Sequence, residues 1–146
     1  IFSPLMAEEF LRVLKPGGYL LRVVPMERHL FELKAAVYDR PYENPPAEPA
    51  VEGFRLLRTQ TLRKTITLSS NEDVQALFLM TPYYYKTGAE DQQKLAAVPS
   101  LRVTTEFLIA VCQNRDTKSG IPGSGNAALI FYSVPMYASR AGRSSS

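Results

Sequence analysis

Few side chains in this 146-residue sequence can do chemistry, and they fall in three places. His29 is the single histidine. It follows a short apolar run ending at Val24, on the side where open α/β sheets bind their ligands. From there an imidazole can donate to a carboxylate or a ribose hydroxyl of a bound cofactor; a helix cap or plain surface histidine is the alternative. Phe2-Ser3-Pro4 would lie at the carboxyl edge of a preceding strand, where an aromatic ring and a hydroxyl can face a substrate. The same three residues also make an ordinary helix start, with Ser3 as N-cap and Pro4 in the first turn. The third place is Tyr83-Tyr84-Tyr85-Lys86, just after Met80-Thr81-Pro82. Consecutive aromatics in a turn cannot all enter one core, so at least one can stack on an unpaired base while Lys86 meets a phosphate. Two packed tyrosines with solvated hydroxyls are the competing arrangement. Arg55, Arg58, Arg63 and Lys64 would extend a surface of this kind.

Other chemistries are poorly provided for. One cysteine and one histidine cannot build a structural metal centre, and no metal site is expected in this chain. The glycines from Gly120 to Gly125 have no strand before them and no Lys-Ser/Thr after, so they do not form a phosphate loop. No nucleophile elbow occurs. Glu8 and Glu9 are adjacent, which turns them to different helix faces rather than onto one substrate.

The elements that must position these groups read as α/β. Residues 5–15 place Met6, Phe10, Val13 and Leu14 on one helical face, and Pro16-Gly17-Gly18 ends the helix. Tyr19–Val24 is a nearly unbroken apolar run, as in a strand covered on both faces. A second helix is predicted from Arg28 to Val37, with Leu30, Leu33, Ala36 and Val37 inward. Pro41, Pro45, Pro46 and Pro49 then keep the chain extended. Phe54–Leu68 has strand chemistry. Ser70 with Asp73 opens a helix that turns Val74, Leu77 and Phe78 inward, and Thr87-Gly88-Ala89-Glu90 resembles another capping box. Residues 70–100 thus form a small helical insertion. Arg102–Cys112 is a strand with Val103, Thr105, Phe107, Ile109 and Val111 on one side. From residue 115 to 146 a Gly/Ser/Pro-containing tail is expected to be poorly ordered.

Composition bounds the rest. A hydrophobic content of 45% and a charged content of 21% are those of a globular chain. The net charge of +3 arises in the tail, where Arg115, Lys118, Arg140 and Arg143 face only Asp116, so any nucleic-acid surface must be local. No apolar run is long enough to span a membrane and no signal peptide is visible, so a cytoplasmic location is the expectation. Helix, tight turn and buried strand make the second half of a βαβ unit, and its first strand should precede Ile1. The expectation is therefore the C-terminal part of something larger.

On these residues the chain resembles the bacterial-type 23S rRNA (guanine-N1)-methyltransferases that use S-adenosylmethionine. The resemblance is carried by Phe2-Ser3-Pro4 with Ala7-Glu8-Glu9 and Leu14-Lys15-Pro16-Gly17-Gly18; by Pro25 through His29-Leu30-Phe31-Glu32-Leu33-Lys34 to Tyr38; by Glu52-Gly53-Phe54; and by Ala76-Leu77 through Met80-Thr81-Pro82. The Lys-Pro-Gly-Gly turn is common among methyltransferases, whereas the histidine segment with the later Met-Thr-Pro is specific. The match covers about residues 1–114. It implies the C-terminal part of a Rossmann-like class I methyltransferase sheet: a last parallel strand, the antiparallel final strands and the helical insertion. It also implies S-adenosylmethionine as cofactor, with His29 as a cofactor contact. Zinc would belong only to a missing N-terminal module, and the glycine-rich cofactor loop is missing too. Phe2, Ser3 and Pro4 take the place where amino-methylating relatives carry an Asp/Asn-Pro-Pro-aromatic motif, which this chain lacks. Together with Tyr83, Tyr84, Tyr85 and Lys86 they are the candidate substrate contacts; no catalytic base is distinguished. The implied reaction is methylation of N1 of a guanine in a large-subunit rRNA hairpin, with this chain expected to be inactive alone. A non-catalytic RNA-binding module and an inactive truncated product that pairs through a free strand edge, giving a homodimer, are the alternatives.

Overall fold

The computed structural model describes residues 5–115 and the backbone of residues 127–131. In chain order the elements are α1 (Ala7–Val13), β1 (Tyr19–Pro25), α2 (Phe31–Val37), β2 (Phe54–Leu68), α3 (Asn71–Leu79), a single 3-10 turn (Tyr84–Lys86), α4 (Ala89–Ala96), β3 (Leu101–Asn114) and β4 (Ala127–Phe131). The four strands form one sheet in the order β2-β3-β1-β4. β3 is central and antiparallel to both neighbours, running from Tyr19↔Gln113 to Pro25↔Phe107 against β1 and from Phe54↔Asn114 to Leu68↔Leu101 against β2. The expected α/β class, with antiparallel strands closing the sheet and helices inserted between β2 and β3, is therefore present.

The turn into β1 follows from its residues. Gly17 takes a left-handed conformation (φ 75°), which an L side chain rarely adopts. Asn114, at the far end of β3, fastens that turn: its side chain donates to the Leu14 carbonyl at 3.0 Å and its main chain exchanges bonds with Gly17 and Gly18. Arg22, in the middle of β1, is buried and its guanidinium donates to the carbonyls of Glu48 and Ala50, the latter at 2.8 Å. That contact lays the proline-rich segment against the sheet, since prolines leave carbonyls without matching donors.

Two apolar clusters flank the sheet. One joins Leu14, Leu20, Val51, Phe54, Ala110 and Cys112, with Leu5, Ala7, Phe10 and Leu11 packed on it. The other joins Leu30, Leu33 and Val37 of the α2 region to Val74, Phe78, Tyr83, Leu95 and Val103.

Several sequence expectations need correction. α1 turns Ala7, Phe10 and Leu11 inward, with Leu5 just before it, while Met6 and Val13 are exposed. Along β3 the buried side chains are Glu106, Ala110, Cys112 and Asn114 together with Val103. Beyond Val103, the predicted phase Thr105, Phe107, Ile109 and Val111 is only half-buried. The small residues lie on the face that receives α1 and the proline-rich segment, so closeness of packing rather than hydropathy selected the phase. Gly88, not Thr87, stands at the N-cap of α4. Thr87 is turned inward instead, with its hydroxyl donating to the Tyr83 carbonyl at 2.7 Å. Finally, the edge of β1 where a strand from before Ile1 is expected carries β4, parallel, from Tyr19↔Ala127 to Val23↔Phe131. Both neighbours of β1 thus come from this chain, and part of the predicted tail is a strand. Among the described residues, the unpaired sheet edges are those of β2 and β4.

Candidate functional site

His29 sits in the turn between β1 and α2, and that turn is fixed almost atom by atom. Its backbone continues the β1–β3 ladder: Met26 N–H donates to the Glu106 carbonyl at 2.9 Å and Leu30 N–H to the Thr104 carbonyl at 2.8 Å. Leu30 holds a left-handed conformation (φ 53°), a strained state for a branched side chain that buries itself in the core here. Arg28 N–H donates to the Glu106 carboxylate at 3.2 Å. The same carboxylate accepts from Arg63 on β2, with Nε at 2.9 Å. Glu106 therefore ties β2, β3 and the His29 turn together.

The imidazole is fixed in turn. Glu106 N–H donates to His29 Nδ1 at 3.1 Å, and the ring packs on Phe107 with centroids 4.4 Å apart. An Nδ1 that accepts a bond carries no proton, so the neutral ring holds its hydrogen on Nε2. Burial, assisted by the charge of Lys34 and opposed by that of Glu106, pulls the pKa of His29 down to about 4. The side chain is thus neutral across the physiological range. Among the described residues Nε2–H has no hydrogen-bond partner, which leaves a single donor for a ligand.

Below the turn, Glu32 accepts from the main chain and hydroxyl of Thr104, at 3.0 and 2.7 Å. Burial works against its charge, yet these two bonds hold the carboxyl below its ordinary range. Lys34, one turn after Leu30, is 1% exposed. Its ammonium donates to Asn44 Oδ1 at 2.6 Å and to the Tyr42 carbonyl at 3.1 Å, and lies 4.3 and 5.2 Å from the ring centres of Tyr42 and Tyr83. Burial lowers its pKa to about 8, against the pull of Glu43.

The tyrosine turn divides by depth. Tyr83 is part of the core, and burial raises its hydroxyl well above the ordinary tyrosine range. Tyr84 packs edge-on against Phe78 and Tyr85, at 6.0 and 5.3 Å. Tyr85 is 86% exposed, and Lys86 is exposed beside it. The turn therefore offers one stacking surface rather than three. Lys34 thus lies against the Tyr83 ring, and its charge adds to burial in lowering the pKa of His29. On β2, Arg55, Arg58 and Lys64 share one sheet face by register, whereas Arg63 lies on the other and pairs with Glu106. Phe2, Ser3 and Pro4 lie outside the described residues.

The sequence reading missed Lys34, Asn44, Glu106 and Arg22. A signal was present for two. Lys34 falls at helical spacing with Leu30 and Val37, on the face predicted to be apolar, and Glu106 interrupts the most regular apolar strand. Among the described residues no cluster of three or more metal-ligating side chains occurs, and no helix is long and apolar enough to cross a membrane.

No protein-family model matches this chain. Two curated proteins are similar to it. The 23S rRNA (guanine(748)-N(1))-methyltransferase of Streptomyces fradiae is 29% identical over 119 residues, covering 77% of this chain and 42% of that protein. YxjB of Bacillus subtilis (strain 168), whose name gives 23S rRNA (guanine-N1) methylation provisionally, is 32% identical over 116 residues, covering 76% and 41%. The chain spans about two fifths of the length of these relatives.

Proposed function

We propose that this chain, a relative of the 23S rRNA (guanine-N1)-methyltransferases, is the C-terminal portion of a Rossmann-like methyltransferase domain acting on N1 of a guanine in large-subunit rRNA. In this reading β1 is the last parallel strand of the sheet's main run, β3 and β2 are the antiparallel pair that closes it, and His29 contacts S-adenosylmethionine. The cofactor, when bound, supplies an electrophilic methyl on a sulfonium. The observation that carries the reading is the state of His29: a neutral imidazole with Nδ1 occupied and Nε2–H available. Such a donor suits a carboxylate or ribose hydroxyl. Being uncharged, it also adds no positive charge beside a sulfonium, which a histidinium would do.

N1 of guanine carries a proton at neutral pH and lies on the Watson–Crick edge, so the base must be unpaired or flipped before it can react. Tyr85 and Lys86 are the residues of the tyrosine turn that can meet such a base and its phosphate. Much of the rate would come from placing the nitrogen in line with the methyl.

The test is transfer of tritium from S-adenosyl-[methyl-³H]methionine to unmethylated 23S rRNA by a complete methyltransferase carrying this chain, unaltered or with His29→Ala. The expected result is a rise in cofactor KM of about tenfold or more, the loss of one buried hydrogen bond, with KM for RNA unchanged. An unaltered cofactor KM refutes the assignment of His29. The open basic face of β2 supports a second reading, a non-catalytic RNA-binding module. Hairpin binding that falls with rising salt, is lost in Tyr85→Ala and is indifferent to cofactor would favour it.

A further inference from the structure

Lys34 is the largest fully buried side chain of the described residues and carries a charge. Burying an ammonium is costly unless its donors are met, and among the described residues no carboxylate forms an ion pair with it. Its partners are neutral: an amide oxygen, a carbonyl and two aromatic faces. A leucine or methionine would fill the same space without that cost, so the position needs a reason beyond packing.

The reason lies one bond further on. Asn44 is itself buried, and its side-chain amide can point either way. Lys34 has only donors, so it fixes Oδ1 toward itself and directs Nδ2 the other way. There Nδ2 donates to the Met26 carbonyl at 2.8 Å, while Asn44 N–H donates to the Glu27 carbonyl at 2.9 Å. The Met26 carbonyl is also the acceptor for His29 N–H at 3.1 Å. One path of hydrogen bonds thus runs from the ammonium through Asn44 into the turn bearing His29.

We propose that Lys34 is a positioning residue: through Asn44 it locks the Met26–Leu30 turn so that His29 keeps Nδ1 on the Glu106 amide and offers Nε2–H to a ligand. The proposal deepens the reading of His29 as a ligand contact and rests on it for its functional meaning. The charged and titratable groups around the pair are Glu43 and Tyr42 of the proline-rich segment, Tyr38 at the end of α2, Tyr83 of the tyrosine turn, and Arg28, Glu32 and Glu106 about His29.

His29 is the single histidine, so one imidazole ¹⁵N signal pair in the labelled chain reports its tautomer and titration without any ligand. In the unaltered protein the Nε2–H tautomer should dominate. In Lys34→Met, with the amide spectrum showing a retained fold, the two tautomers should mix and the titration midpoint should rise by about one pH unit. Asn44→Ala removes the bridge and leaves the ammonium, so it should mix the tautomers with a smaller change in midpoint. It also serves as the deciding variant if Lys34→Met fails to fold. A folded variant with the tautomer of the unaltered protein overturns the proposal. Because this readout needs no cofactor, mixed tautomers together with an unchanged cofactor KM in His29→Ala would leave the positioning role standing and remove only the cofactor assignment.

Discussion

At the scale of single residues, the chemistry concentrates on one neutral imidazole and the groups that keep it so. The unfolded chain binds a proton at His29 near its ordinary value of 6.5, the folded chain only near 4. Between those values the unfolded state holds more protons, so stability falls as pH drops through the window. From about pH 7 to pH 5 the loss should be on the order of 1–2 kcal/mol, read as a shift in urea midpoint at constant slope. In His29→Gln, which cannot titrate, that part of the pH dependence should vanish; an identical pH profile would show that the ring is not held neutral by the fold. The place of His29 was legible in the sequence, because a residue just past a buried strand can only sit at the sheet's end. Its tautomer was not. That depends on Glu106, 77 positions away, and only the register of β3 brings the two together.

At the scale of elements, agreement was best where local chemistry is decisive. Ser70 accepts from Asp73 N–H at 3.1 Å, as the spacing predicts, and α3 buries Val74 and Phe78. β2 has the bounds read from its residues, Phe54–Leu68. The phase of β3 was misread because hydropathy alternation was strong on the face that the helices leave half-covered. The start of β2 provides a sharp test of packing. Gly53 has φ 79°, and a Cβ there would approach Leu11 Cδ1 to 2.5 Å. Gly53→Ala should therefore cost about 2–3 kcal/mol, from the left-handed backbone and crowding against α1 together. Equilibrium unfolding in urea measures it; a loss of only about 1 kcal/mol would mean that Leu11 moves aside freely, and one under about 0.5 kcal/mol that the turn also relaxes its left-handed backbone.

At the scale of the whole molecule, the sheet is a central antiparallel trio with one parallel strand added, and β1 is flanked entirely by strands of this chain. No local signal announced β4: residues 127–131 lack caps, and their pairing with β1 spans about a hundred positions. A partner for β1 does not supply a glycine-rich phosphate cradle, and none occurs in the sequence. Calorimetric titration of this 146-residue chain with S-adenosylmethionine should accordingly show affinity no tighter than about millimolar, since one imidazole donor contributes only a small part of a cofactor's binding energy. Micromolar binding would mean that the residues present suffice.

The run of β2 along the rim of the sheet has one last consequence. An open rim of fifteen residues with Leu56, Leu57 and Leu62 exposed is the shape from which amyloid-like stacking starts. Here the irregular step between Leu56 and Arg58 breaks the flatness, and Arg58 and Lys64 place like charges wherever a second rim would lie alongside. These basic side chains act as gatekeepers, keeping the ribbon from becoming a template for its own kind.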